Sequence, residues 1–212
     1  MATPGQLVEA LHLATGIPLA TIVDLDRKLV KGGLRTIGGR GFNAAQMTPL
    51  DAARLITALL ASAHANAAVE AVHRYALTRC DRDRSSEDQF AATTLAELTS
   101  LPTNHSFVDA LAALIATAAT GSLEKIINDA DAPQPHIEIY AFTRATRGRI
   151  RISGLPKGLT ASMEYVAHPV DAKKKPRGSA ADEQGAGDLE QSRRVTERTI
   201  LPIAKLLAGD MS

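Results

Sequence analysis

The sequence predicts a mainly helical fold with a small β element, in the α+β class, on three observations. Alanine accounts for 37 of the 212 residues and aromatic residues for only 3%, and cores built from Ala and Leu come from closely packed helices. Apolar residues recur at helical spacing through most of the first 130 positions. Residues 136–166 instead contain β-branched and aromatic runs with period-two alternation, which is typical of strands.

Two helices are predicted at the N-terminus. Thr3 caps the first helix, Pro4 takes its first position, Gln6 completes a capping box, and Gly16 ends it. A second helix is predicted over residues 18–31. Its buried stripe is predicted to contain Leu19, Ile22, Leu25 and Leu29.

The segment Leu34–Met47 is too rich in glycine for a helix and predicts a small hairpin or an extended loop. Thr48 and Asp51 then repeat the capping pattern, which predicts a long alanine-rich helix over residues 49–79. Further helices are predicted over residues 86–100, 105–119 and, as a short turn, 122–129.

The last third of the sequence predicts a small antiparallel sheet followed by a helix. Strands are predicted over residues 136–142, 149–153 and 160–166, with Arg147 and Gly148 in the turn between the first two. Residues 168–190 are polar and rich in Gly, Ala and Pro, which predicts a flexible segment. The closing helix is predicted over about 190–208 and contains Pro202.

These elements suggest three regions: residues 1–60, a helical body over residues 61–130 with a possible dimer surface, and a small α+β region over residues 133–212. Cys80 is the one cysteine, which fits a reducing compartment. No apolar run approaches the length of a membrane span, and the N-terminus lacks the pattern of a signal peptide. We therefore expect a cytoplasmic protein without membrane contact.

The sequence indicates no catalytic centre. The six histidines form neither an HxxxH nor an HExxH pair, and one cysteine cannot supply a zinc cluster. A GxSxG elbow and a phosphate-binding GxxxxGKS loop are also missing from the sequence. We therefore expect a protein that is not an enzyme and has no metal site and no cofactor.

Positive charge is clustered in two places. Five basic residues and no acid lie between positions 27 and 40, where a helix and a glycine loop can present them to phosphates: Arg27, Lys28, Lys31, Arg35 and Arg40. A second stretch without acid contains Arg144, Arg147, Arg149, Arg151 and Lys157. In a strand, Arg149 and Arg151 share one face. This positive face can extend the DNA-binding surface, and it is equally expected of a charged edge strand that prevents aggregation.

Residues 7–47 resemble a winged helix-turn-helix of the bacterial or phage regulator type. The resemblance rests on a short helix, the turn Thr15-Gly16-Ile17, the second helix, and a glycine-containing segment in the place of the wing. It implies that residues 1–60 bind double-stranded DNA, with helix 18–31 in the major groove and residues 34–47 on the backbone or minor groove. The DNA-binding residues expected on this basis are Thr21, Arg27, Lys28, Lys31, Arg35, Arg40 and Asn43, extended by Arg147, Arg149 and Arg151.

The favoured interpretation is a cytoplasmic transcriptional regulator of phage or mobile-element type, acting as a homo-oligomer, with a dimer expected. Two alternatives stay open at this point. One is a DNA-packaging protein similar to the small terminase subunit of phages, which assembles into rings. The other is a helical protein–protein adaptor that does not bind DNA.

Overall fold

The computed structural model describes residues 2–38, 45–86, 95–127, 136–143, 146–155, 159–167 and 191–209. In chain order its elements are α1 (Pro4–Thr15), α2 (Leu19–Lys31), α3 (Pro49–Ala61), α4 (Ala68–Ala76), β1 (Thr78–Asp81), α5 (Ala96–Thr99), α6 (Phe107–Ala119), α7 (Ser122–Ile127), β2 (His136–Phe142), β3 (Arg147–Leu155), β4 (Leu159–Ala167), β5 (Ser192–Thr196) and α8 (Glu197–Ala208). Short 3₁₀ helices cover Ala65–Ala67 and Arg82–Arg84. The predicted α+β class is confirmed.

Local capping chemistry sets the starts of α1 and α3. Thr3 and Gln6 form the predicted capping box of α1, and Thr48 and Asp51 form that of α3. The predicted end of α1 is also confirmed, because Gly16 adopts φ 70°, a left-handed conformation that costs glycine little.

The five strands form one antiparallel sheet in the order β1-β4-β3-β2-β5. The strands predicted over residues 136–142 and 160–166 are confirmed as β2 and β4. The placement of Arg147 and Gly148 in a turn is wrong, because both pair within β3, opposite Phe142 and Ala141. Strand β3 therefore begins two residues earlier than the sequence indicated.

Two further strands lie in segments that were predicted to be helical. The predicted continuous helix over 49–79 is wrong at two points: the extended Ser62 divides it into α3 and α4, and its last residues belong to β1. The closing helix starts at Glu197, and β5 occupies the preceding residues. Of the predicted helix over 86–100, the structure describes α5 and its immediate neighbours; the predicted flexible segment 168–190 lies outside the described residues.

Helices α3, α6 and α8 pack on the inner face of the sheet. Alternate residues of β2 and β3 fill this layer, among them Ile137, Ile139, Ile150 and Ile152, all at 0–1% exposure. Helix α1 packs on α2 and α8, and α2 packs on α1, α3 and α4. Buried apolar side chains from all three predicted regions belong to one connected cluster. Among the described helices, none combines the length and apolar character needed to cross a bilayer.

Candidate nucleic-acid interface

Helix α2 is amphipathic, and four of the ten predicted binding residues lie on it. Ile22, Leu25 and Leu29 are buried against the neighbouring helices. At 100° per residue, Arg27 and Lys31 lie opposite this buried stripe, and both are exposed. The packing of one side of α2 thus turns these two cations toward solvent.

Two more predicted residues border the same outer side. Thr21 is exposed in the first turn, and Lys28, two turns further along, is half-buried. Leu19 was wrongly assigned to the buried stripe, because it is 44% exposed at the first position of α2. The first turn of α2 therefore exposes an apolar side chain and a hydroxyl on different sides of the helix.

The cations of α2 are not neutralised within the described part of the chain. Arg27, Lys28 and Lys31 each lack a carboxylate within ion-pair distance among the described residues. The exposed acid of this helix is Asp24, so the outer side has a net charge of about +2. Lys28 and Lys31 also stabilise the helix C-terminus through the macrodipole.

Arg35 does not share this exposed position. Its Nε atom lies 2.9 Å from Oδ1 of Asp26, and its side chain is only 13% exposed. The N–H is not aligned for a hydrogen bond, so the contact is a close ion pair. Burial raises the pKa of Asp26, which the charge of Arg35 opposes and that of Asp51 reinforces. Arg35 thus ties the segment after α2 back to the helix.

Asp51 anchors both ends of the glycine loop. Its Oδ1 accepts a hydrogen bond from the Thr36 N–H at 2.8 Å, and its Oδ2 accepts one from the Thr36 hydroxyl at 2.9 Å. Oδ2 also accepts bonds from the N–H of Thr48 at 2.9 Å and from its hydroxyl at 2.7 Å. Burial acts to raise the pKa of Asp51, but these four bonds outweigh it and hold the pKa below the usual value of 3.8.

The tip of the predicted wing is outside the described residues, and so are the predicted contacts Arg40 and Asn43. The described ends of the segment, residues 34–38 and 45–47, contain no strand. They nevertheless come together, because Gly38 lies so close to the backbone of Ala45 that a β-carbon there would be 2.4 Å from the Ala45 nitrogen. The loop is therefore closed at its base.

The predicted arginines of β3 lie on the outer face of the sheet, away from α2, which packs on helices. Arg149 forms an ion pair with Glu164 of β4. Arg151 places Nη1 3.9 Å from Oε2 of Glu138, and the guanidinium of Arg147 stacks 4.1 Å above the centre of the Phe142 ring. The structure therefore separates the predicted basic residues into two groups.

Other members of this outer face were not among the residues predicted from the sequence. Glu138 of β2 accepts hydrogen bonds from Tyr140 at 2.8 Å and from Arg194 of β5 at 2.5 Å. Burial acts to raise the pKa of Glu138, but these bonds and the positive charge of Arg194 hold it below its usual value. The alternation Arg194-Val195-Thr196 is a strand signal, yet it lay within the predicted closing helix.

A shallow groove lies between the start of α3, α5 and α6, lined by Pro49, Leu50, Leu101, Ala112 and Ala116. Its carboxylates already have partners, since Glu97 accepts from Thr117 at 2.6 Å and Asp109 accepts from Ser106 at 2.8 Å. The described residues contain no group of three His, Cys, Asp or Glu side chains that could hold a metal ion. Searches with this chain match no protein-family model, no curated protein and no solved structure.

Proposed function

We propose that this chain binds double-stranded DNA through α1 and α2 and acts in the cytoplasm as a transcriptional regulator. One observation carries the proposal: Arg27, Lys28 and Lys31 border a solvent-facing side of α2 and have no ionic partner among the described residues. A protein that neutralises DNA phosphates gains affinity by releasing the counterions of DNA, and unpaired cations contribute most because they give up no partner of their own.

The dimensions of α2 suit the major groove. Its 13 residues span roughly 20 Å, and a helix fits a groove about 12 Å wide. Helix-turn-helix proteins use the N-terminal residues of the second helix to contact base edges. Here Thr21 can exchange hydrogen bonds with a base or contact a thymine methyl group.

Binding to a random duplex, followed by fluorescence anisotropy at several salt concentrations, tests the proposal. Three phosphate contacts per chain predict a log–log slope of about −2.7, which corresponds to roughly 40-fold weaker binding at 200 mM than at 50 mM salt. The double variant Arg27→Ala/Lys31→Ala should lower the steepness by about 1.8 and weaken binding to every sequence.

Arg74→Ala is the matched control, because Arg74 is exposed on α4 and does not belong to the proposed surface. Thr21→Ala should instead change the preferred sequence in a selection from random duplexes while leaving the salt dependence intact. Duplex binding that is the same in the double variant and in the wild type would refute the assignment of α2. Failure of the wild type to bind duplex at low salt would refute the function itself.

A further inference from the structure

The outer face of the sheet carries an ordered array of side chains with a different chemistry from that of α2. We call the outer-face cluster the six residues Glu138, Tyr140, Arg149, Arg151, Glu164 and Arg194. The strand register places Tyr140 opposite both Arg149 and Arg194, and it places Arg151 opposite Glu138. Residues two apart along a strand are about 7 Å apart on one face, so the cations of β3 form a regular series.

Within this cluster the acids lie beneath the arginines. The side chains of Glu138 and Glu164 are 11% and 8% exposed, whereas those of Arg151 and Arg194 are 46% and 53% exposed. The carboxylates therefore act as anchors that fix the guanidinium groups from below. Anchoring lowers the conformational entropy that an arginine loses when it binds an anion.

Each anchored arginine retains donors for a further partner. A guanidinium has five N–H donors. Among the described residues, Arg149 donates from Nε to Glu164, and Arg194 donates from Nη1 to Glu138. Within the cluster three arginines face two carboxylates, and Arg147 adds a cation at one end of the series. On the neighbouring strand β1, Asp81 and Arg79 share this face and their charges cancel, so the face stays positive. A planar donor fork held in place is the arrangement that recognises phosphate oxygens best.

A sheet face that presents an aromatic ring favours a single strand of nucleic acid over a duplex. Reading a duplex requires an element that protrudes into a groove, whereas the bases of a single strand can unstack onto aromatic rings and guanidinium planes of a sheet. Tyr140 lies between Arg149 and Arg194 in one row and supplies such a ring. We propose that the outer-face cluster binds single-stranded nucleic acid, with its arginines on the phosphates and Tyr140 beside a base.

Anisotropy titrations of the full chain with a labelled oligothymidine of about 20 nucleotides test this proposal. Three engaged phosphates predict a log–log salt slope of about −2.1, and Arg151→Ala should lower its steepness by about 0.7 and weaken binding roughly tenfold at low salt. Arg151 makes the loosest ion pair of the cluster, so this variant should fold normally, which its thermal unfolding will check. Arg194→Ala is a second variant of the same kind.

Three comparisons decide the outcome. Arg194→Lys keeps the charge and removes the fork that Glu138 holds at 2.5 Å, so it should bind at least threefold more weakly than the wild type if positioned donors matter. Arg151→Ala should cause the same loss in the background of Arg27→Ala/Lys31→Ala, because α2 is a separate surface, and Arg74→Ala, which removes a charge outside both surfaces, should leave oligothymidine binding unchanged. Equal affinity of wild type and Arg151→Ala for oligothymidine overturns the proposal. Displacement of the oligothymidine by an equimolar acidic peptide also overturns the proposal, in favour of a protein partner.

Discussion

Replacing Asp51 with Asn tests whether the base of the glycine loop is held by one carboxylate. Asp51 is only 2% exposed and accepts four hydrogen bonds, two from Thr36 and two from Thr48. Asn retains one acceptor oxygen. If that oxygen replaces Oδ2, the new amide group must face the Thr36 N–H, where a donor meets a donor.

The loss follows from this geometry. At least one hydrogen bond to a charged acceptor disappears, at a cost of about 1.5–3 kcal/mol, and the Thr36 N–H keeps no acceptor. We expect Asp51→Asn to lower the free energy of unfolding by about 2–4 kcal/mol, measured by urea denaturation followed by circular dichroism.

Asp109→Asn is the control for the capping box alone, at a more exposed site. Asp109 occupies the same capping-box position in α6 and accepts two bonds, both from Ser106 and both to the single oxygen Oδ2. An Asn oxygen can replace Oδ2 there, so this variant should cost at most about 1 kcal/mol. Equal losses in the two variants would refute the role of the Thr36 bonds, because the capping box alone would then explain both.

The same carboxylate predicts a pH dependence. The folded-state pKa of Asp51 lies below 3.8, so its stabilising contribution is complete above the unfolded-state pKa and is lost as the pH falls through the folded-state value. The wild type should therefore lose stability relative to Asp51→Asn below about pH 4, and the two curves should approach each other. A gap that stays constant down to pH 2 would exclude the linkage.

Two further substitutions test how the sheet is held to the helices. Gly148→Ala should destabilise the fold by about 2–4 kcal/mol in urea denaturation, because its β-carbon would lie 2.3 Å from the buried ring of Phe107, whereas the control Gly5→Ala meets no atom within 4 Å and should be neutral or stabilising. Arg193→Ala should cost about 1–2 kcal/mol, since Arg193 donates to the carbonyls of Leu59 at 2.9 Å and Ser62 at 2.8 Å at the end of α3; an unchanged unfolding midpoint would show that this cap contributes nothing.

Features determined by neighbouring residues were predictable from the sequence. The capping boxes of α1 and α3 depend on side chains three positions apart, and both are present as predicted. The alternation in β2 and β4 likewise shows directly which residues face the core. Strand β1 could not be found in this way, because it is stabilised by pairing with β4, more than 80 positions further along the chain.

The same distinction applies to the candidate binding residues. A count of charges between positions 27 and 40 groups Arg35 with Arg27 and Lys31, although Arg35 faces Asp26 and the other two face solvent. Helical periodicity would have placed Arg27 and Lys31 opposite the apolar stripe, since both lie within α2. Arg35 lies beyond the end of α2, where no periodicity fixes the direction of a side chain.

The number of exposed cations on α2 also predicts how the salt slope depends on the number of chains bound to one duplex. Under the proposed function, Arg27, Lys28 and Lys31 are three phosphate contacts per chain, because Arg35 is in an internal ion pair, and a slope near −2.7 is expected from a single chain. A dimer on a two-fold symmetric site doubles the contacts and hence the slope, to about −5.4. The slope measured on a random duplex therefore separates a monomeric from a dimeric complex, because the two slopes differ twofold and neither depends on the DNA sequence.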